Sequence, residues 1–359
     1  MDALVRFQIC PATQGYVLNS WYVIAFSHEV TSEKPLARRC CDDPIVLYRT
    51  SQGQAVALHD RCTHRGVPLS FGKVVGDALE CVYHGAQFGA SGQCIRIPSQ
   101  ETIPSAACVQ SYPLIERGGF IWLWRGDAAR ADAALLPDHH ALGLGREGWS
   151  SKPYFVLEIK SNYSMLFENL LDTSHISFLH GTALDSGRMA TASFRSESDA
   201  SSVKLIRTLK GDIANPNNAK QYGLKPGMTF DRELTSAALL PNMHIIRNVF
   251  TFPDNPNAPE HIRINVMPIT PAGPGLHYHF LTMTASYPEE HPPQLIEAMR
   301  TVLNQDKVVL EATQALFDEL GPDAPEFSVK ADEGALKGRR TLAAMVRADA
   351  GLELTQTCR

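Results

Sequence analysis

Between Asn19 and about Trp124 the apolar positions come in short runs rich in β-branched and aromatic residues: WYVIAF, PIVLYR, AVALHD, LECVYH and FIWLW. Turn residues separate them, so this stretch predicts a small all-β domain. From Gly126 to Gly148 the chain turns Ala-, Asp- and Gly-rich, as a linker does, before a further β run at PYFVLEIK. In NYSMLFENLLDTSHISFLH the apolar residues recur at helical spacing, and Gly181 follows directly, which predicts a helix ending at His180. Over residues 194–287 the period returns to that of strands in VKLIRTL, MHIIRNVF, HIRINVMPI and HYHFLTMTASY, interrupted by turns such as PDNPNAP and PAGPG. These strands predict a curved antiparallel sheet. Amphipathic helices are predicted over Pro293–Leu320 and Gly334–Ala348. The expected architecture is therefore α+β, with an all-β domain over residues 1–130 and a sheet-and-helix domain over 131–359.

Composition supports a folded two-domain chain. Its 359 residues exceed what one core organises, and 44% hydrophobic with 20% charged residues is globular. The formal charge of -5 comes without a basic block, which argues against nucleic-acid and polybasic membrane partners. The first residues lack the pattern of a secretory signal and no long apolar run follows, so a cytoplasmic location is expected. Eight cysteines are too sparse for a disulfide scaffold, and in a reducing compartment clustered Cys and His point to metal. Cys10, Cys40, Cys41, Cys94, Cys108 and Cys358 have no His at ligand spacing, so packing or simple exposure accounts for them.

Two segments carry metal chemistry. Cys62-x-His64 in RCTHRGVPL and Cys81-x-x-His84 in ECVYHGA are separated by sixteen residues, and each supplies one thiolate and one imidazole. A Rieske [2Fe-2S] centre needs two Cys on one iron and two His on the other. Gly66, Pro68 and Gly85 suit tight turns whose N–H groups approach the sulfurs. The same residue types could bind zinc, although zinc knuckles more often pair Cys with Cys. HRGVPLSFG and YHGAQFGASGQCIRIPS extend the pattern, and over about 40 residues the segment resembles the Rieske domain family.

Further on lies Glu168-Asn169-x-x-Asp172-x-x-His175-x4-His180. On a regular helix His175 and His180 fall about 140° apart, so they meet at one metal only if the helix is distorted or ends between them. Two His and one carboxylate form the facial set of non-heme Fe(II) oxygenases. Read alone, the two histidines are equally compatible with hydrogen-bonded core residues. Together with the upstream motif, the arrangement resembles the catalytic domain of the Rieske oxygenases, which implies a helix-grip-like second domain. In that family the third ligand lies on the C-terminal helix in an Asp-x4-Glu-Ala context, matched by Asp306 and Glu311. Without the resemblance Asp306 reads as a solvated charge, and Glu168 is a weaker candidate ligand. The resemblance further implies that Asp172 bridges His175 to His84 of a neighbouring subunit, and that Asn169 is a polar residue near iron. A helix hydrogen bond is the other role open to Asn169.

Within the family the chain most resembles the vanillate and dicamba O-demethylase oxygenases and the toluenesulfonate methyl-monooxygenase, in WYVIAF, in YHG followed by Ala86, and in QDKVVLEATQ. That branch oxidises a methyl or methoxy group of an aromatic acid, while aromatic ring hydroxylation or cis-dihydroxylation uses the same ligands. A pure Rieske electron carrier or a zinc-stabilised binding protein would have no use for His175, His180 and Asp306. The resemblance implies a homotrimer and O2 as co-substrate. NADH-derived electrons would come from a separate reductase or ferredoxin, since the chain shows no Gly-x-Gly-x-x-Gly fingerprint after a strand for a nicotinamide or flavin of its own. His244, Arg247 and Asn248 in PNMHIIRNVF are candidate partners of a substrate carboxylate or sulfonate, or else ordinary strand positions.

Overall fold

The computed structural model describes residues 15–351 except 182–183, 185–186, 217–218, 220–223, 289–290 and 322–325. Cys10 and Cys358 lie outside the described residues. The chain divides into two compact units: Leu18–Pro137 with Thr270–Gly273, and the remainder. The division at Pro137/Asp138 falls a few residues beyond the expected boundary, and the described residues just before Leu18 go with the second unit rather than the first. Val17 shows why, since it is buried in that unit's core. The stretch read as a linker is partly packed. Trp21 donates its indole N–H to the Asp132 carbonyl at 2.8 Å, and Leu136 is buried.

The first unit is built from short antiparallel sheets. β1 (Ser20–Phe26), β9 (Leu114–Arg117) and β10 (Phe120–Arg125) form one, in the order β1-β10-β9. β2 (Leu36–Cys40), β3 (Asp43–Arg49) and β4 (Ala55–His59) form a second, and β5 (Lys73–Val75), β6 (Ala78–Glu80), β7 (Gln87–Phe88) and β8 (Cys94–Arg96) a third. Cys40, Cys41 and Cys94 are buried and Cys108 is exposed, in line with packing or simple exposure.

In the second unit β11 (Ser150–Ile159), β12 (Phe194–Ser198), β13 (Ser202–Ile213), β14 (Thr229–Leu239), β15 (Met243–Thr251), β16 (His261–Gly273) and β17 (Leu276–Ala285) make a seven-stranded sheet ordered β11-β17-β16-β15-β14-β13-β12. Its inner face is set by period two: Phe155, Leu157 and Ile159 of β11 enter the core that also holds Leu281 and Met283 of β17. Against that core pack α1 (Tyr163–Leu171), α2 (Pro293–Leu320) and α3 (Glu333–Asp349). The α2 limits are those the sequence predicts, with Pro293 at its first turn and Gly321 at positive φ past its end. On α3, Gly334 and Gly338 permit close approach to α1, because a Cβ at Gly338 would sit 2.7 Å from Leu171 Cδ1.

Candidate metal centres

In the first unit two loops repeat one geometry. The Cys62 N–H donates to Val67 O and Gly66 N–H to Cys62 O, at 2.8 and 2.9 Å. The Cys81 N–H donates to Ala86 O and Gly85 N–H to Cys81 O, at 2.8 and 3.0 Å. Each loop closes on a glycine in the left-handed region, Gly66 at φ 78° and Gly85 at φ 71°. This closure buries Cys62 and Cys81 while His64 and His84 remain exposed, their rings 4.5 Å apart. Burial pushes the Cys62 thiol up, opposed by the backbone N–H groups of His64 and Arg65, with Cys81 close enough to add to the rise. A pair of inward sulfurs bathed in amide dipoles and a pair of outward imidazoles fits a two-Cys, two-His [2Fe-2S] cluster.

The second centre begins where α1 stops. The helix does not run to His180, because the Asp172 carboxylate takes the Ser174 N–H at 2.8 Å and Asp172 leaves helical geometry at φ -91°, ψ 98°. This side-chain turn competes successfully with the helix ladder. Buried Arg207 fixes it from the sheet by donating its Nε–H to Thr173 Oγ1 at 2.6 Å. The chain then makes one π-type turn over Ile176–His180, closed by Gly181 at φ 55°. A turn closing five residues apart brings His175 and His180 to one side, which an α-helix cannot do.

Their Nε2 atoms lie 3.5 and 3.4 Å from Asp306 Oδ1, and the ligand atoms of all three lie within 4.8 Å of one another. Both tautomers are fixed by the opposite ring nitrogen. His175 Nδ1–H faces the Asp172 backbone carbonyl, and His180 Nδ1–H donates to Gln305 Oε1 at 2.9 Å. Each Nε2 therefore turns a lone pair toward Asp306, the arrangement a metal ion requires. Burial pushes His175 below its ordinary pKa. Burial acts the same way on His180, but Asp306 and Gln305 outweigh it and raise that pKa. Asp306 is 3% exposed on the apolar stripe of α2, between Leu303 and Leu310, rather than on its solvated side. Asn169 donates to the same Oδ1 at 3.3 Å, so it sits at this centre instead of bonding within its helix.

Three further points refine the expectations. Within one chain His175 meets the Asp172 backbone carbonyl, while Oδ1 of the Asp172 carboxylate accepts the Ser174 N–H. Glu168 is no candidate ligand: Arg339 of α3 grips its carboxylate with Nε at 2.8 Å and also bonds Glu326 at 3.0 Å. Burial opposes charge on Arg339, but the two carboxylates outweigh it. Third, His244, Arg247 and Asn248 do not face one space. Adjacent strand positions alternate, so His244 and Asn248 point inward, fully buried, while Arg247 points to the other face. Asn248 accepts from Arg232 Nε at 2.8 Å. Two inner residues that the sequence reading passed over are His277 and His279, which follow the alternation of Leu281 and Met283 into the core. Burial holds His244 and His279 down at about 3 and His277 at about 4, so all three are neutral.

A first prediction separates structure from ligation. Arg339→Met is expected to cost about 3 kcal/mol of stability by leaving two poorly solvated carboxylates unpaired. Glu168→Gln should retain mononuclear iron. Chemical denaturation measures the former and metal analysis the latter, and iron loss in Glu168→Gln would return Glu168 to the ligand set.

Residues 20–113 match the Rieske [2Fe-2S] domain family, and residues 159–348 match the vanillate O-demethylase oxygenase C-terminal domain. The chain is 30% identical over 346 residues to the iron-sulfur subunit of the toluene-4-sulfonate monooxygenase system of Comamonas testosteroni, covering 94% of this chain and 99% of that one. It is 39% identical over 171 residues to the oxygenase component of dicamba O-demethylase from Stenotrophomonas maltophilia, covering 46% and 48%. The crystal structure of dicamba monooxygenase bound to 3,6-dichlorosalicylic acid aligns over 94% of this chain and 99% of that one, at 25% identity with a TM-score of 0.84.

Proposed function

Because the chain belongs to the Rieske-type non-heme iron oxygenases, we propose that it is the oxygenase component that monooxygenates a methyl or methoxy group of an aromatic acid. Cys62 and Cys81 hold one iron of the [2Fe-2S] cluster and His64 and His84 the other. His175, His180 and Asp306 hold the mononuclear iron. The observation that carries this reading is the convergence of two Nε2 lone pairs and one carboxylate oxygen at 3.4–3.5 Å, each imidazole oriented by its far nitrogen. When bound, the iron supplies reductive activation of O2 at positions the three protein ligands leave open. Asp172 and Gln305 orient the imidazoles, and Asn169 steadies the carboxylate. The helices and the inner sheet face keep this centre from bulk water, since His180 and Asp306 are both buried.

Electrons come from NADH through a separate reductase or ferredoxin, consistent with relatives named as components or subunits of multi-part systems. Assembly is a head-to-tail homotrimer in the cytoplasm, with Asp172 of one subunit bridging to His84 of the next. The exposed Val82 and Tyr83 beside exposed His84 offer an apolar contact surface for such a neighbour. No helix among the described residues is long and apolar enough to cross a membrane.

Reducing the iron-loaded protein with dithionite, then adding O2 and methoxy- or methyl-substituted benzoates and benzenesulfonates, should yield formaldehyde or the benzylic alcohol. A cis-dihydrodiol as the product would overturn the proposal in favour of ring dihydroxylation.

A further inference from the structure

His175 and His180 are not held alike. The His180 side chain is 3% exposed, and its Nδ1–H is anchored on Gln305 of α2, next to Asp306. His175 is 21% exposed, and its Nδ1–H faces the Asp172 carbonyl, a partner in the same turn that moves with it. Its place against Asp306 therefore depends on what grips that turn from outside.

One short segment grips it on both sides of His175. Residues 188–192 coil into a turn, with the Ala192 N–H donating to Arg188 O at 3.1 Å. Two residues after His175, Ser177 Oγ accepts the Ala190 N–H at 3.1 Å. Two residues before it, Thr173 Oγ1 takes the Nε–H of Arg207 at 2.6 Å, and Arg207 donates through Nη1 to Met189 O and Ala192 O at 3.1 and 2.5 Å. Between these ties Ile176 belongs to a buried apolar cluster with Met189, Leu209 and Leu234.

Arg207 lies on β13, buried, with its guanidinium 4.9 Å from the centre of the Phe194 ring. Burial works against its charge, and the carboxylate that counters this is that of Asp172. An apolar residue would fill the same space without the desolvation cost of a charge. What it could not supply is a planar fork of donors that reaches a hydroxyl and two carbonyls at once.

We propose that Arg207 is a positioning residue of the mononuclear iron site, which with residues 188–192 forms a brace that sets His175 against His180 and Asp306. The inference rests on the reading of those three residues as iron ligands. Loosening the brace releases His175 first, because His180 is tied to α2 and Asp306 belongs to it.

The test uses the full chain with its cluster intact and the mononuclear site reloaded anaerobically with ferrous iron. Two quantities are read: iron affinity by competition with a chelator, and the EPR spectrum of the iron's nitric oxide adduct with the cluster oxidised and silent. Arg207→Met should weaken iron binding about 10–100-fold and alter the adduct's spectrum, with the cluster's absorption unchanged. Thr173→Val and Ser177→Ala each cut one tie of the brace and leave Arg207 in place, so they should move both readouts in the same direction by a smaller factor. Because Thr173 acts through Arg207, combining Thr173→Val with Arg207→Met should weaken binding no further than Arg207→Met alone. Variants that melt lower yet bind iron with natural affinity and an unchanged adduct spectrum would make Arg207 a purely structural residue and overturn the inference. If Arg207→Met does not fold, Thr173→Val and Ser177→Ala decide the matter by the same two readouts. A natural protein that takes up no iron beyond the cluster rejects the ligand reading itself, and the brace with it.

Discussion

Asp306→Ala is expected to strip the mononuclear iron and reduce product formation at least about a hundred-fold, more than loss of a group that merely orients a ligand. The [2Fe-2S] spectrum should be unchanged, because Cys62, His64, Cys81 and His84 lie in the other compact unit. Two arguments fix the size of the effect. The carboxylate is the only anionic group of the set His175, His180 and Asp306, so removing it leaves two neutral imidazoles to hold a divalent ion. It also takes away the acceptor of Asn169, leaving that buried amide further unsatisfied. Iron content per chain, measured against acid-labile sulfide to subtract the cluster, is the direct readout. Retention of the additional iron with undiminished turnover would make Asp306 a bystander and reopen the choice of third ligand.

Asp306 was singled out in the sequence by family likeness, although the helix pattern carried a second signal that the reading did not use. Leu295, Met299, Val302, Leu303, Asp306 and Leu310 form one helical stripe, and a carboxylate where the stripe calls for an apolar residue needs a partner. Lys307 and Glu311 lie off the stripe and pair with each other at 3.7 Å, as solvated helix charges do. The strands were legible as short β-branched and aromatic runs between turn residues, whether they bury one face or, as β1 and β17 do, both. A period of two already separates Arg247 from His244 and Asn248, and it sends His277 and His279 inward beside Leu281 and Met283. What helical spacing could not show is the early end of α1. The apolar positions continue in register past Leu171, and only the competition between the Asp172 side chain and the helix ladder for the Ser174 N–H stops it. Gln305 was invisible for another reason: its role is defined by a ring nitrogen of a residue 125 positions away, and no local pattern encodes that pairing.

Asp172 is where these two kinds of information meet, and its substitutions separate them. Its carboxylate holds the turn through Ser174, its backbone carbonyl orients His175, and under the proposed assembly its charge links the mononuclear iron to His84 of a neighbouring subunit. Asn keeps an oxygen able to accept from Ser174 while losing the charge, so Asp172→Asn should bind both metal centres, melt within about 1 kcal/mol of the natural protein and assemble normally. Electron transfer from reduced cluster to mononuclear iron should fall by about 10–100-fold or more. Ala loses the turn as well, at a further cost of about 1 kcal/mol, and lets α1 extend toward His175, so Asp172→Ala should lose iron. Mixing the chemically reduced proteins with O2 and a turned-over substrate, and following cluster reoxidation and product in one turnover, distinguishes the cases. Fast reoxidation coupled to product in Asp172→Asn would exclude the bridge, whereas loss of iron from that variant would show that the charge itself, not only the turn it holds, is needed to assemble the site.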